Sequence, residues 1–575
     1  MKTNMKIISK TFGVVVLLLV ASSCDLNKDL QNPNEVSVSG ADVNLLMNAV
    51  QLDFADFYND AQNTVAPLMR HSAMNAGFRY QTAYLPQNQD ALWYDAYQNV
   101  LINAETLIPL AKEKNLTTHV AVARILQAYT YITLVDLFGD VPATTALRGG
   151  AGDFNPTADD GKAVYDLAIS YLNEARTELA KVGADAGAAL ARDIYYNGDR
   201  ANWTKLANSI ELKAWVNISA LPSRRVEASG RIASILATPL VDDESENFTY
   251  KWGTSTVPDS RHPMYNQYYG PNAGQAGGYI GTSFMYEMFR GKPDPTDPAD
   301  PSKFVQDPRW RYYFYRQVGS VKQLYAVDPK ALGCTPGAPP DHYVAGNYPF
   351  CVFDPGFYGR DHGDASGTPP DAPVITAAGV YPAGGKVDNN VADSKTPAMN
   401  TFAVATKRGD GANGAGISPI YMSFFTDYLK AEYLARNGDD AGARVALLAA
   451  VEKSINQVKN FGALKGQTPS LANSPNIQNY LDAVAFLYDN ASDKLKIVGR
   501  ELWIASWGNA IEAYNGYRRT GGPDHLPPPL QTGAGPWLRS IIYPSVFVNL
   551  NSNAVQKPQD TVVKVFWDGN PATLN

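Results

Sequence analysis

The stretch that most constrains this chain runs from Asp90 to Pro142, DALWYDAYQNVLINAETLIPLAKEKNLTTHVAVARILQAYTYITLVDLFGDVP. Apolar side chains recur at Trp93, Tyr97, Val100/Leu101, Ala104 and Leu107/Ile108, the spacing of a helix with one greasy face. Residues Asn115 to Thr118 break that pattern and offer hydroxyls to cap a second helix. From Val120 to Phe138 the second helix is apolar nearly all round, so it is predicted to be buried. Gly139 ends it, and Pro142 forces the chain into extended form. Two antiparallel helices cannot bury both faces alone. The hairpin requires partners.

The rest of the chain supplies them. Asp42 is placed to cap an amphipathic helix (Val43, Leu46, Val50, Phe54, Phe57), and a further helix is expected around Val65 to Met74. Asp160 to Lys181 pairs with Asn202 to Ala220. Later, Pro419 to Arg436 pairs with Ala441 to Phe461 across the Asn437-Gly438-Asp439-Asp440 turn. Ile477 to Tyr488 pairs with one long helix over Ser492 to Tyr517. These hairpins have the size of tetratricopeptide units, but their period is irregular. Between Val241 and Ser418 helical periodicity disappears, and Gly, Pro and aromatic residues crowd in. A structureless loop of that length is improbable inside a domain, so ordered loops, short strands and a few short helices are expected. The predicted fold class is mainly α. Four tetratricopeptide-like helix pairs (about 41–240 and 419–520) carry a large loop-rich insertion (about 241–418) and an extended tail (521–575), in a single domain over 41–575.

The first 23 residues do not belong to it. Lys2, Lys6 and Lys10 precede the apolar run Phe12 to Val20 and the small residues Ala21-Ser22-Ser23, the layout of an export signal. The run is too short to span a bilayer, which takes ~20 apolar residues, and no later segment reads as long and apolar enough. Ala-Ser-Ser-Cys24 resembles a bacterial lipobox, although the usual Leu three places before the Cys is replaced by Ala21. Cys24 is therefore the expected lipidation site, with residues 24–40 as a polar tether. Removing the leader takes 49 basic residues to 46 against 56 acidic ones, moving the net charge from −7 to −10. That balance excludes a nucleic-acid binder, which needs a basic face.

Catalytic chemistry finds little support. Gly409-Asp-Gly411-Ala-Asn-Gly414 matches a dinucleotide fingerprint, but without the surrounding βαβ unit it reads as a turn before a helix. The six histidines never fall at zinc-ligand spacing, and no nucleophile elbow occurs. Glu432, Glu501 and Glu512 read as solvated helix faces rather than a glycosidase dyad. No catalytic residue, resident metal or cofactor is assigned. A structural calcium ion is the one metal considered, at Asp361-His-Gly-Asp364 or along Asp294 to Asp300, and neither run fits an EF-hand loop. Cys334 and Cys351 could close a disulfide loop; spacing alone leaves that open. With 33 tyrosines the chain is rich in side chains suited to sticky, wet surfaces. The aromatics of the insertion are the ligand-binding candidates: Trp252, Tyr268, Tyr269 and Trp310.

Four sets of residues together resemble the SusD/RagB-type outer-membrane lipoproteins of the Bacteroidota. They are the lipobox with its tether, and Trp93-x3-Tyr97-x5-Asn103 running to Asp136-Leu-Phe-Gly-Asp-Val-Pro142. The others are Ile497-x2-Arg500-Glu501-Leu-Trp503-Ile504-Ala505 through Glu512-Ala-Tyr514 to Arg518-Arg519-Thr-Gly-Gly-Pro523, and Leu538-Arg539 to Tyr543-Pro544-Ser545 with Asn549 and Asn551. Val546-Phe547 and Leu502 depart from the family pattern. The resemblance implies a non-catalytic, lipid-anchored protein on the cell surface of the outer membrane. It implies a role as the lid of a TonB-dependent SusC-like transporter that captures oligosaccharide nutrients. The alternatives are the same role with peptide ligands, a surface-anchored hydrolase, or an adaptor that binds only proteins.

Overall fold

The computed structural model describes residues 41–269, 278–320, 338–364, 374–389, 406–469, 476–558, 561–571 and 574. The expected leader, Cys24, the tether and Cys334 lie outside the described residues. Helix α1, Val43–Val65, starts where Asp42 accepts a hydrogen bond from Asn44 N at 2.8 Å. The further helix expected around Val65 to Met74 is a series of turns instead. Arg70 takes a φ of 58°, and its buried guanidinium donates to Leu68 O and Pro527 O, which holds the backbone off the helical path.

The organising hairpin forms. Helix α2, Asp90–Tyr94, widens through a π turn at Asp95–Leu101 and continues as α3, Ile102–Glu113. Its mate α4, Thr117–Phe138, is buried at every residue except Arg124. Among the described residues α4 alone is long and apolar enough to cross a membrane. The expectation that no segment past the leader reaches that length is therefore corrected, and the helix serves as the core of the fold. Thr117 and Thr118 do not cap it either; their hydroxyls accept from Arg200 at 3.1 and 2.6 Å, tying the turn to the next pair.

That pair is α5, Gly161–Leu179, and α6, Arg200–Ser219, capped by Asp160 and Asp199. Helix α7, Arg225–Leu236, packs on α6 and had no clear periodic signal. Strand β1, Phe248–Lys251, then opens the insertion, which contains α8, Pro263–Tyr269, and α9, Thr282–Arg290. The insertion closes where β2, Ile417–Tyr421, pairs antiparallel with β1. The expected helix start at Pro419 is thus a strand, with Pro419 opposite Thr249; α10, Ser423–Arg436, begins only after it.

Helix α11, Asp440–Leu464, is capped by Asp439 and packs on α10. Helices α12, Ile477–Asn490, and α13, Lys494–Ala505, follow, then α14, Ala510–Thr520. The single helix expected over Ser492 to Tyr517 is therefore two. Gly508 adopts a φ of 90°, which a residue with a Cβ takes only under strain, and Asn509 caps α14 by accepting from Glu512 N. The two halves of the scaffold meet where α10 packs on α6 and α14 on α1.

A polar seam runs through this junction. The buried Asp136 carboxylate accepts from Tyr165 Oη, from Asn515 Nδ2 at 2.7 Å and from Trp567 Nε1 at 2.9 Å. Arg519 donates to both oxygens of Glu432 at 3.0 Å and to Asn217 at 2.7 Å. Lys213 pairs with Glu512, and Lys292 with Glu501 at 2.9 Å. Glu432, Glu501 and Glu512 are consequently buried ion-pair partners, and their reading as solvated helix faces is corrected. A carboxylate can be carried inside only when paired and hydrogen-bonded.

Candidate ligand-binding groove

A hollow of about 510 Å³ lies between α9 and the turn after α14. Its buried charges are already matched. Glu287 accepts from Arg500 Nε at 2.7 Å and lies 3.2 Å from His525 Nε2, while Lys292 is held by Glu501. This network fastens the insertion to the scaffold.

A second groove of about 460 Å³ has a different character. One wall is the end of α1, with Asn59, Gln62 and Asn63; the other is α8, with Gln267 and Tyr268. His71 and Trp507 lie between them. No Asp, Glu, Lys or Arg lines it among the described residues. The turn that splits α13 from α14 brings Trp507 here, and the Arg70 kink after α1 brings His71.

These two side chains set the chemistry. His71 Nε2 lies 3.0 Å from the Trp503 carbonyl and so carries the ring proton. Burial holds the imidazole neutral, with its pKa pushed down to about 3 against a smaller pull from that carbonyl. His71 Nδ1 is then a bare acceptor, and neither it nor the Trp507 Nε1–H donor has a partner among the described residues. Both residues are at most 3% exposed. The two rings stand edge to face with centroids 5.8 Å apart. A buried unpaired donor beside a buried unpaired acceptor is costly unless something fills both.

The four aromatic candidates divide. Tyr268 lines the groove. Trp252 is half-buried, donates to Ser418 Oγ at 3.0 Å and meets edge-on the ring of His262, a groove residue. Tyr269 is fully buried, stacked on Tyr265 at 4.5 Å with its hydroxyl donating to Ala378 O. Trp310 is 1% exposed among Phe289, Phe357 and the guanidiniums of Arg311 and Arg316. His71 and Trp507 escaped sequence reasoning. The one signal for Trp507 was the Gly508-Asn509 pair behind it, a helix stop followed by a cap.

The remaining motifs have structural roles. Gly409 to Gly414 forms a turn that leads into β2 and not into a helix, with Tyr265 Oη donating to Asp410 O. Asp361 accepts from Cys351 N at 2.8 Å, and burial raises its carboxyl to about 7. His362 sits 3.0 Å from Tyr80 Oη. Asp294 and Asp300 each fold back on the backbone N–H two residues on. No cluster of metal-ligating side chains occurs among the described residues. Cys351 is engaged in a disulfide.

Residues 33–296 match the sequence profile of the SusD-like family, described as starch-binding and associating with the outer membrane. No relative among the curated proteins matches the sequence. Among solved structures, a SusD/RagB family protein from Bacteroides thetaiotaomicron superposes with a TM-score of 0.60 at 16% identity, covering 92% of this chain and all of that one. A chitin-binding SusD homologue from Flavobacterium johnsoniae gives 0.57 at 17%, covering 91% of this chain and all of that one. A further chitin-binding protein gives 0.59 at 19%, over 93% of this chain and all of that one. The sequence of residues 33–296 is thus similar to the SusD-like family, and the described chain shares the fold of solved SusD-like proteins.

Proposed function

We propose that this protein is a surface lipoprotein that captures a neutral oligosaccharide in the groove between α1 and α8. It then delivers the sugar to a TonB-dependent SusC-like transporter, over which it acts as a lid. The observation that carries this reading is that His71 Nδ1 and Trp507 Nε1 both lack partners in a groove with no charged wall among the described residues. A sugar hydroxyl donates and accepts at once, so sugar hydroxyls suit both atoms. The amides of Asn59, Asn63 and Gln267 suit further hydroxyls, and Tyr268, with Trp252 behind His262, offers rings to an apolar sugar face. Two structural neighbours are described as chitin-binding, which makes N-acetylglucosamine oligomers the first ligands to try. The hydrolase alternative loses its carboxylates, since Glu432, Glu501 and Glu512 are each committed to a buried cation.

The lid role rests on the family resemblance, on the expected lipid at Cys24 and on the tether after it. Helical pairs give a stiff body, so opening is by rigid-body rotation. Calorimetry with N-acetylglucosamine and glucose oligomers, and with peptides, tests the ligand class. We expect saccharide binding that Trp507→Phe weakens about tenfold, the worth of one hydrogen bond in a dry site. Peptide binding with no saccharide binding would sink the reading. Purification of the tagged protein from outer membranes in mild detergent tests the partnership. Recovery of the protein alone would count against the lid.

A further inference from the structure

Past Asn63 the groove continues into a second hollow of about 300 Å³ that shares this residue and lies between α1 and the segment preceding α2. Its chemistry is not that of the first. The Thr64 hydroxyl is spent donating to Asp60 O at 2.9 Å, and Asn88 Nδ2 donates to Ala83 O at 3.3 Å. The Thr64 oxygen is left as an acceptor, and the Asn88 amide keeps its carbonyl oxygen and one N–H. Gln89 is 3% exposed, and its Oε1 has no partner among the described residues. The one charged side chain on the wall is Asp60, and no Lys, Arg or His lines this half among the described residues.

Asp60 stands in a field of its own sign. The charges acting on it are those of Asp95, on the π turn, and Asp56, one turn back on α1; Asp56 in turn feels Asp95 and Asp53. Burial is the larger cause, and with these neighbours and a hydrogen bond shared with the Asp95 carboxyl it raises the Asp60 carboxyl to about 6. A hollow that offers acceptor oxygens from Thr64, Asn88 and the buried orphan carbonyl of Gln89, beside an acidic Asp60–Asp95 pair with no cation on the wall among the described residues, is complementary to a group that donates and is positively charged. An ammonium, with three N–H donors and no acceptor, is such a group.

We infer that the half of the groove formed by Asp60, Thr64, Asn88 and Gln89 is an ammonium subsite, which takes a protonated primary amine on the ligand whose neutral part lies against His71 and Trp507. This rests on the saccharide reading above and extends it to amine-bearing sugars. The test uses the N-acetylglucosamine tetramer as two glycosides that differ in one group, an aminopropyl or a propyl aglycone. At pH 7.5 the intact protein is expected to bind the aminopropyl form about tenfold more tightly. Asp60→Asn, which keeps the side chain's shape, should bind the two forms equally. So should the wild type at pH 5, where Asp60 is protonated while the amine stays charged. Equal affinity of the two glycosides for the wild type at pH 7.5 overturns the subsite and leaves the saccharide reading standing. Binding of neither overturns both.

Discussion

The carboxylate of Asp136 in α4 accepts a hydrogen bond from Asn515 in α14 at 2.7 Å, across 379 residues of sequence. This contact joins the two motifs that carry the family resemblance, Asp136-Leu-Phe-Gly and the run ending in Arg518-Arg519. Asp136 and Asn515 close the scaffold and do not line the groove. Arg518 continues the seam by donating to Asn515 Oδ1 at 2.6 Å and to Arg539 O at 2.8 Å.

Asp136→Ala should be severely destabilising. It strands the Tyr165, Asn515 and Trp567 donors in a dry interior, for a cost of roughly 3–5 kcal/mol. Asp136→Asn should also destabilise, since its amide N–H groups would face donors. Urea denaturation followed by tryptophan fluorescence measures both. A midpoint unchanged in Asp136→Ala would show that the seam contributes nothing.

The aromatic candidates should separate by phenotype. Trp310→Ala removes a ring packed by Phe289 and Phe357 and should cost about 3–5 kcal/mol of stability. Trp252→Ala should leave a folded protein with weaker saccharide affinity, because the ring is half-buried and braces His262. Thermal melts and calorimetry on the same samples decide the matter. A stable Trp310→Ala variant that has lost binding would reverse the assignment.

Acid should weaken the fold through its buried imidazoles. Burial holds His71 and His262 to pKa values of about 3. The unfolded chain takes up these protons near pH 6.5 and the folded chain does not. Their contribution is therefore complete above pH 6.5 and is lost as the pH falls toward 3. At pH 5 each accounts for roughly 2 kcal/mol. His262→Gln should flatten the decline in melting temperature between pH 6.5 and 5 relative to the wild type. Saccharide binding itself should stay level from pH 6 to 8, since neither imidazole titrates there. Parallel melting curves for variant and wild type would contradict the assignment.

Cys24→Ala should release the protein from the membrane fraction. Stable anchoring takes about two acyl chains, and none could be attached. Fractionation with palmitate labelling checks it. Undiminished labelling of the variant would place the lipid elsewhere.

What the sequence determined by itself is what depends on neighbours within a turn or two. The apolar face from Trp93 to Ile108, the all-apolar run that became α4, and the cap at Asp42 are local statements, and each appears in the fold, the first with a π turn at Asp95–Leu101. Tertiary structure decided whatever required partners far along the chain. Glu432, Glu501 and Glu512 look like solvent-facing helix carboxylates until Arg519, Lys292 and Lys213 arrive from other elements to neutralise them. Trp310 and Trp252 sit in equally Gly/Pro-rich surroundings, yet one is core and the other half-buried, because the four-residue helix Trp310–Tyr313 and the end of β1 are too short to carry a periodic burial signal. The groove itself has no sequence motif. It exists because the Arg70 kink and the Gly508 turn each end a helix early, and this leaves His71 and Trp507 side by side with one acceptor and one donor unpaired.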